Sequence, residues 1–95
     1  MKIGMSKEEI LDFLKRDKEA SLYLNNALKK YPDEFLHFID RLVELDVDGN
    51  YTQQEFREFV LNLLIQRLKQ LTCFVVPDKK YAQHAFDEMI KIIKG

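Results

Sequence analysis

The sequence predicts an all-α fold, a compact bundle of about five helices in which the fourth helix is long and very apolar. Apolar residues recur at intervals of three and four in five segments, and helix-capping or helix-breaking residues separate these segments. No strand is expected, because the one short β-like run, at 74–76, is stopped by Pro77. The chain has 95 residues, 46% of them hydrophobic, which suits a single helical domain over residues 1–95.

The first two helices are predicted from their end signals. Ser6 and Glu9 have the spacing of a capping box, so the first helix is expected at 7–16. A second amphipathic segment follows at 18–30, with most of its apolar residues on one face. Because Pro32 cannot continue that helix without losing a hydrogen bond, the second helix is expected to end before it.

The third and fifth helices follow from the two prolines. Pro32 suits the first turn of a helix, so the third is expected at about 33–44. Pro77 ends the fourth helix and Asp78 can cap a fifth, expected at 79–94. Both helices have one broad apolar face, which indicates helices packed on a core.

The fourth helix, expected at about 53–74, is apolar around most of its circumference. Its polar residues form only a narrow strip: Glu58, Asn62, Gln66, Lys69 and Cys73. Such a helix is either covered by several neighbours or lends one face to an oligomer. Three residues form a second apolar strip beside the core-facing one: Leu61, Ile65 and Leu68. We expect a protein partner or a second copy of the chain to bury this strip. Arg67 lies inside the apolar arc and is expected either to pair with a carboxylate or to reach the domain edge.

The segment between the third and fourth helices carries the most specific chemical pattern. Oxygen donors occupy its first, third, fifth, seventh, ninth and twelfth places: Glu44, Asp46, Asp48, Asn50, Thr52 and Glu55. Gly49 stands at the sixth place. A calcium ion takes six to eight oxygens, and a twelve-residue loop with a central glycine can supply them. The segment therefore resembles a single, degenerate EF-hand loop, with Glu rather than Asp at its first place and no second loop visible in the chain.

This resemblance implies calcium binding at those six residues, with a dissociation constant of about 10⁻⁴ to 10⁻³ M. A purely structural interpretation is favoured over metal binding. Thr52 and Glu55 also have the spacing of a capping box that starts the fourth helix. The run Asp48-Gly49-Asn50 is a good turn sequence by itself.

Composition argues against several other classes of function. The net charge is −1 and the basic residues are dispersed, so no nucleic-acid binding is expected. A single cysteine, Cys73, excludes an intrachain disulfide and the usual structural zinc sites, and it is compatible with a cytoplasmic location. The most apolar stretch, 59–76, contains charged residues, so no membrane partner is expected.

No arrangement of catalytic groups is recognisable in the sequence. His37 and His84 fall on polar helix faces, and neither is placed beside Cys73. We therefore expect a non-enzymatic, adaptor-type interaction or regulatory protein that acts through an apolar surface, with no cofactor other than weakly bound calcium. The alternative is a calcium-binding module in which the EF-hand-like loop sets the angle between the third and fourth helices.

Overall fold

Five helices follow one another in the computed structural model, which describes residues 1–73 and 78–95. They are α1 (Lys7–Arg16), α2 (Lys18–Lys30), α3 (Pro32–Glu44), α4 (Gln53–Cys73) and α5 (Lys79–Lys94). No strand occurs in the described residues, so the predicted all-α bundle is confirmed. Phe74, which the sequence pattern assigned to the end of the fourth helix, lies outside the described residues.

Each helix begins within one residue of its predicted start. The Ser6 hydroxyl accepts the Glu9 N–H at 3.1 Å, and the Glu9 carboxylate accepts the Ser6 N–H at 3.1 Å. Asp17 alone separates α1 from α2, and its carboxylate accepts the N–H groups of the second helix's first turn. Pro32 is the first residue of α3. These local interactions fix the boundaries without help from the rest of the fold.

The core draws buried side chains from all five helices. Its centre is an aromatic cluster that joins the end of α2, the helix α3 and the helix α5: Tyr31, Phe35, Phe38 and Phe86. Phe38 and Phe86 stack with their ring centroids 4.8 Å apart and an interplanar angle of 17°. All four residues are almost completely removed from solvent. This cluster therefore fixes α3 against α5 and against the end of α2.

α4 packs against both α2 and α5, and this explains its broad apolar surface. Of the second apolar strip, Leu61 is 7% exposed and Leu68 is 1% exposed, while Ile65 is half-buried and packs on the core. The expected exposed strip is therefore not present, because two neighbouring helices of the same chain cover it. The five polar residues of the narrow strip are exposed, as expected. No described helix has the combination of length and hydropathy that a bilayer crossing requires.

Candidate functional site

The connection between α3 and α4, residues 45–52, ends in a capping box. The Thr52 hydroxyl accepts the Glu55 N–H at 3.1 Å, and the Glu55 carboxylate accepts the Thr52 N–H at 3.1 Å. The bond from the Thr52 backbone N–H is the main cause that lowers the pKa of Glu55, and the Thr52 side chain adds to the effect. The structural interpretation of these two residues is therefore confirmed.

The first five residues, which we call the N-terminal strap, lie across the other end of this connection. The Met1 ammonium donates to the Asp46 carboxylate and to the Val47 carbonyl, and the Val47 N–H returns a bond to the Met1 carbonyl at 2.8 Å. Lys2 Nζ lies 3.7 Å from the Glu44 carboxylate. The pKa of Asp46 is held below its usual range, first by the hydrogen bond from the Met1 ammonium and then by its charge.

The strap continues along the first turns of α4, where side chains bind its main chain. Gln53 Nε2 donates to the Lys2 carbonyl at 2.6 Å. Arg57 donates twice, from Nε to the Ile3 carbonyl at 2.9 Å and from Nη2 to the Gly4 carbonyl at 2.7 Å. The Ile3 side chain is buried in the core. The strap is thus bound by a groove formed by the 45–48 segment and the start of α4.

These contacts decide how the six predicted calcium ligands are arranged. The structure separates them into three pairs: Thr52 with Glu55 in the cap, Glu44 with Asp46 facing the strap, and Asp48 with Asn50 exposed. Within residues 1–73 and 78–95, no three carboxylate, imidazole or thiol groups are placed to share a metal ion. In this arrangement Glu55 is held in the helix cap, and Asp46 is paired with the Met1 ammonium.

Gly49, the central glycine of the EF-hand-like pattern, has a packing role in this structure. It does not adopt the left-handed conformation, which Gly4 and Gly95 do adopt. A Cβ atom at Gly49 would lie 2.7 and 2.8 Å from two carbons of the Tyr51 ring. A side chain at Gly49 would therefore need the Tyr51 ring to shift, and this close packing gives the glycine a role that does not depend on a metal-binding turn.

Tyr51 and Phe59 form an aromatic pair on the surface beside this loop. Their rings are nearly parallel, with centroids 6.2 Å apart and an interplanar angle of 13°. Tyr51 also contacts the buried Phe56, at a centroid distance of 5.8 Å. Nevertheless, Tyr51 is 43% exposed and Phe59 is 38% exposed. The sequence offered one signal for this surface, since Phe59 lies at the edge of the polar strip of α4, but our interpretation of the sequence missed it.

An ion pair that the sequence did not indicate links α3 to α5. Arg41 Nη1 and Asp87 Oδ1 lie 2.5 Å apart, and Gln83 Nε2 donates to the same oxygen at 3.1 Å. The bond from Arg41 is the main cause that lowers the pKa of Asp87. Arg67, the arginine that the sequence indicated, is half-buried and forms no ion pair with any carboxylate of the described residues.

The three residues considered for catalysis are exposed on three different helices. His37 and Cys73 are exposed on α3 and at the end of α4. His84 is exposed on α5, where Nε2 lies 3.2 Å from the Glu88 carboxylate one turn away.

Comparison with known proteins identified no relative of this chain, so its function has to be argued from the fold and from the contacts described above. No model of a protein family matches the chain, and neither the curated proteins nor the solved structures include a match.

Proposed function

We propose that this chain is a non-enzymatic helical interaction protein, of the adaptor or regulatory type, which binds a protein partner through an apolar surface. The observation that carries the proposal is the aromatic pair. Two large rings stack in parallel on the surface, yet about two-fifths of each residue stays in contact with water. The binding surface that we propose is Tyr51 and Phe59. It replaces the strip that the sequence indicated, Leu61, Ile65 and Leu68, because the chain's own helices cover most of that strip.

The aromatic pair has the properties of a binding anchor. Tyr51 contacts Phe56 below it and lies beside Gly49, so part of its side-chain freedom is already lost before binding. Tyrosine is among the residues enriched at the energetic centres of protein interfaces, and it buries a large area with few rotatable bonds. A stacked pair of this kind can therefore bind an apolar stripe on a partner.

The charges next to the pair indicate the chemistry of that partner. Glu55 and Glu58 lie within one turn of Phe59 on α4, and both are exposed. A symmetric contact between two copies would bring these carboxylates close to their own equivalents, which is unfavourable. An amphipathic helix with an apolar stripe and flanking Lys or Arg residues would instead complement them. We therefore propose a basic amphipathic helix as the partner, with self-association as the alternative that the experiment separates.

Binding to a synthetic amphipathic peptide of leucine and lysine, labelled and monitored by fluorescence anisotropy, tests the proposal. Phe59→Ser should weaken binding by about tenfold, since truncating an interface anchor removes roughly 1.4 kcal/mol or more. Leu22→Ser is the matched control, because Leu22 is apolar and exposed on a different helix. The proposal fails if the peptide does not bind, or if both variants weaken binding equally. Sedimentation equilibrium on the protein alone detects self-association.

As an alternative we propose weak calcium binding by the 44–55 segment. Its support is that two cationic groups already approach Glu44 and Asp46, so the exposed carboxylates of this loop attract positive charge. A metal ion would have to displace the strap from these two residues and free Glu55 from the helix cap. Binding is therefore expected only at the weak end of the EF-hand range, about 10⁻⁴ to 10⁻³ M.

A calcium titration followed by NMR tests this alternative. Up to about 10 mM calcium, ten times the weakest expected dissociation constant, the Gly49 amide should shift in the unmodified protein. The same amide should not shift in Glu55→Gln, which keeps the capping box but lacks the carboxylate charge. Absence of any shift in the unmodified protein would leave Thr52 and Glu55 with the capping role alone.

A further inference from the structure

We propose that the N-terminal strap, Met1–Met5, is an intramolecular peptide ligand that leaves its groove and returns to it while the five helices stay folded. The groove consists of the 45–48 segment and the first two turns of α4. This inference does not depend on the aromatic pair or on calcium binding.

The groove recognises the strap mainly through its main chain. Gln53 and Arg57, one turn apart on α4, donate hydrogen bonds to three successive carbonyls of the strap, those of residues 2–4. The Val47 N–H donates to the Met1 carbonyl, so the opposite side of the groove also pairs with backbone. Binding by main-chain bonds with a separate side-chain pocket is the way in which proteins bind extended peptides.

Two positions of the strap supply the specificity. Ile3 is 1% exposed and fills the pocket beneath the strap. Gly4 adopts a φ of +70°, and a Cβ atom on it would lie 2.9 Å from Arg57 Nη2 and from Gln53 Nε2. An apolar residue followed by glycine is therefore what this groove accepts, because any residue other than glycine is strained at this positive φ and its Cβ atom would also displace the side chains that donate the hydrogen bonds.

The contacts of the strap allow it to detach while the five helices stay folded. α1 begins after it with its own capping box at Ser6 and Glu9, so the first helix does not need the strap. Ile3 is fully buried in the core and Met1 and Met5 pack partly against it, while the ion pairs to Glu44 and Asp46 involve side chains that are 78% and 67% exposed. Segments with few buried contacts and exposed hydrogen bonds open locally at a lower free energy than the core.

Hydrogen exchange of two amides tests the proposal in the full chain. The Val47 amide reports strap docking because it donates to the Met1 carbonyl, and the Leu64 amide, in the buried middle of α4, reports global unfolding. Val47 should exchange at least about tenfold faster than Leu64. Gly4→Ala should accelerate Val47 by a further factor of about ten and leave Leu64 nearly unchanged. Gly95→Ala is the matched control, since Gly95 also has a positive φ but no atom near its Cβ position.

A peptide added in trans then tests the groove itself. An acetylated peptide of residues 1–6 should restore the protection of Val47 in the Gly4→Ala protein, whereas the same peptide with Ile3→Asp should not. Acetylation removes the ammonium, so only the main-chain and Ile3 contacts are tested. If Gly4→Ala does not fold, Arg57→Gln removes two of the donors and should accelerate the exchange of Val47 in the same way, but the peptide should not rescue this variant because the groove itself has lost those donors. The proposal is overturned if Val47 and Leu64 exchange at the same rate in every variant, or if the peptide leaves Val47 unprotected in the Gly4→Ala protein.

Discussion

Two pairs of aromatic rings in this molecule are both nearly parallel, but one pair is buried and the other is partly exposed to solvent. In the core, Phe38 and Phe86 stack with an interplanar angle of 17°, and both are fully buried. At the surface, Tyr51 and Phe59 stack at 13° but are each about two-fifths exposed. Burial of apolar area supplies most of the stabilisation, and stacking adds only about 0.5 to 1.5 kcal/mol. The buried pair therefore contributes mainly to the stability of the fold, whereas the exposed pair remains accessible to a partner.

Truncation inside the aromatic cluster should have the largest effect on the free energy of unfolding. Phe86 contacts three other rings of the cluster, and Phe86→Ala should destabilise the protein by about 3 to 5 kcal/mol, through lost burial and a residual cavity. Urea unfolding followed by circular dichroism measures the change. A loss below about 2 kcal/mol would mean that this cluster collapses easily around a cavity.

Truncation in the surface pair should cost less. Phe59→Ala is expected to lower the free energy of unfolding by about 1 to 2 kcal/mol, because only part of the ring is buried and no enclosed cavity remains. The same urea experiment measures it alongside Phe86→Ala. Equal losses for the two variants would contradict the division of roles between the buried and exposed rings.

The hydroxyl of Tyr31 places a polar atom inside the buried aromatic cluster. This atom is buried and has no hydrogen-bond partner among the described residues. Burial raises the pKa of Tyr31, and the nearby Asn26 side chain only partly opposes the rise. Tyr31→Phe should therefore stabilise the protein by about 1 kcal/mol, since the cost of an unsatisfied buried hydroxyl disappears. Thermal unfolding of the variant measures this gain, and a loss of stability would show that the hydroxyl has a partner.

The smallest effect is expected for the ion pair that links α3 to α5. Asp87→Asn should lower stability at pH 7 by less than about 1 kcal/mol, because both side chains are more than a third exposed. The pKa of Asp87 is lowered in the folded state, so its contribution is complete above the unfolded pKa of about 3.9. It is lost as the pH falls from there through the lower folded value. Unfolding curves of both proteins from pH 7 to pH 2 should therefore converge at the acid end.

The sequence was sufficient for the helices because local interactions determine their ends. The capping boxes at Ser6 and Thr52 and the first-turn Pro32 all act within one turn of the residue they fix. The apolar faces were also predicted in outline. The edges of these faces were not predicted: Phe13 on α1 and Tyr81 on α5 are large apolar residues, but they are 40% and 44% exposed. Which residues at the margin of a face are covered depends on the neighbouring helix, and periodicity within one helix does not contain that information.

The candidate site was harder to predict because its contacts are long-range. The strap meets the loop and α4 across separations of 45 to 54 residues in the chain. For this reason the sequence pattern could not show that the Asp46 carboxylate faces the Met1 ammonium. Arginine partners were hidden in the same way, since Arg57 binds strap carbonyls and Arg41 binds Asp87 on another helix.

The single-residue connection at Asp17 limits where residues can be inserted into this chain. One residue in extended conformation is the whole connection between α1 and α2, and its carboxylate already caps the second helix. An inserted residue must either separate that cap from its helix or enter a helix, and one added helical residue rotates the following face by about 100°. The eight residues 45–52 instead form an irregular connection that can lengthen without rotating a helix. Length variation among natural or engineered versions of this chain should therefore concentrate in the 45–52 connection and be absent at Asp17.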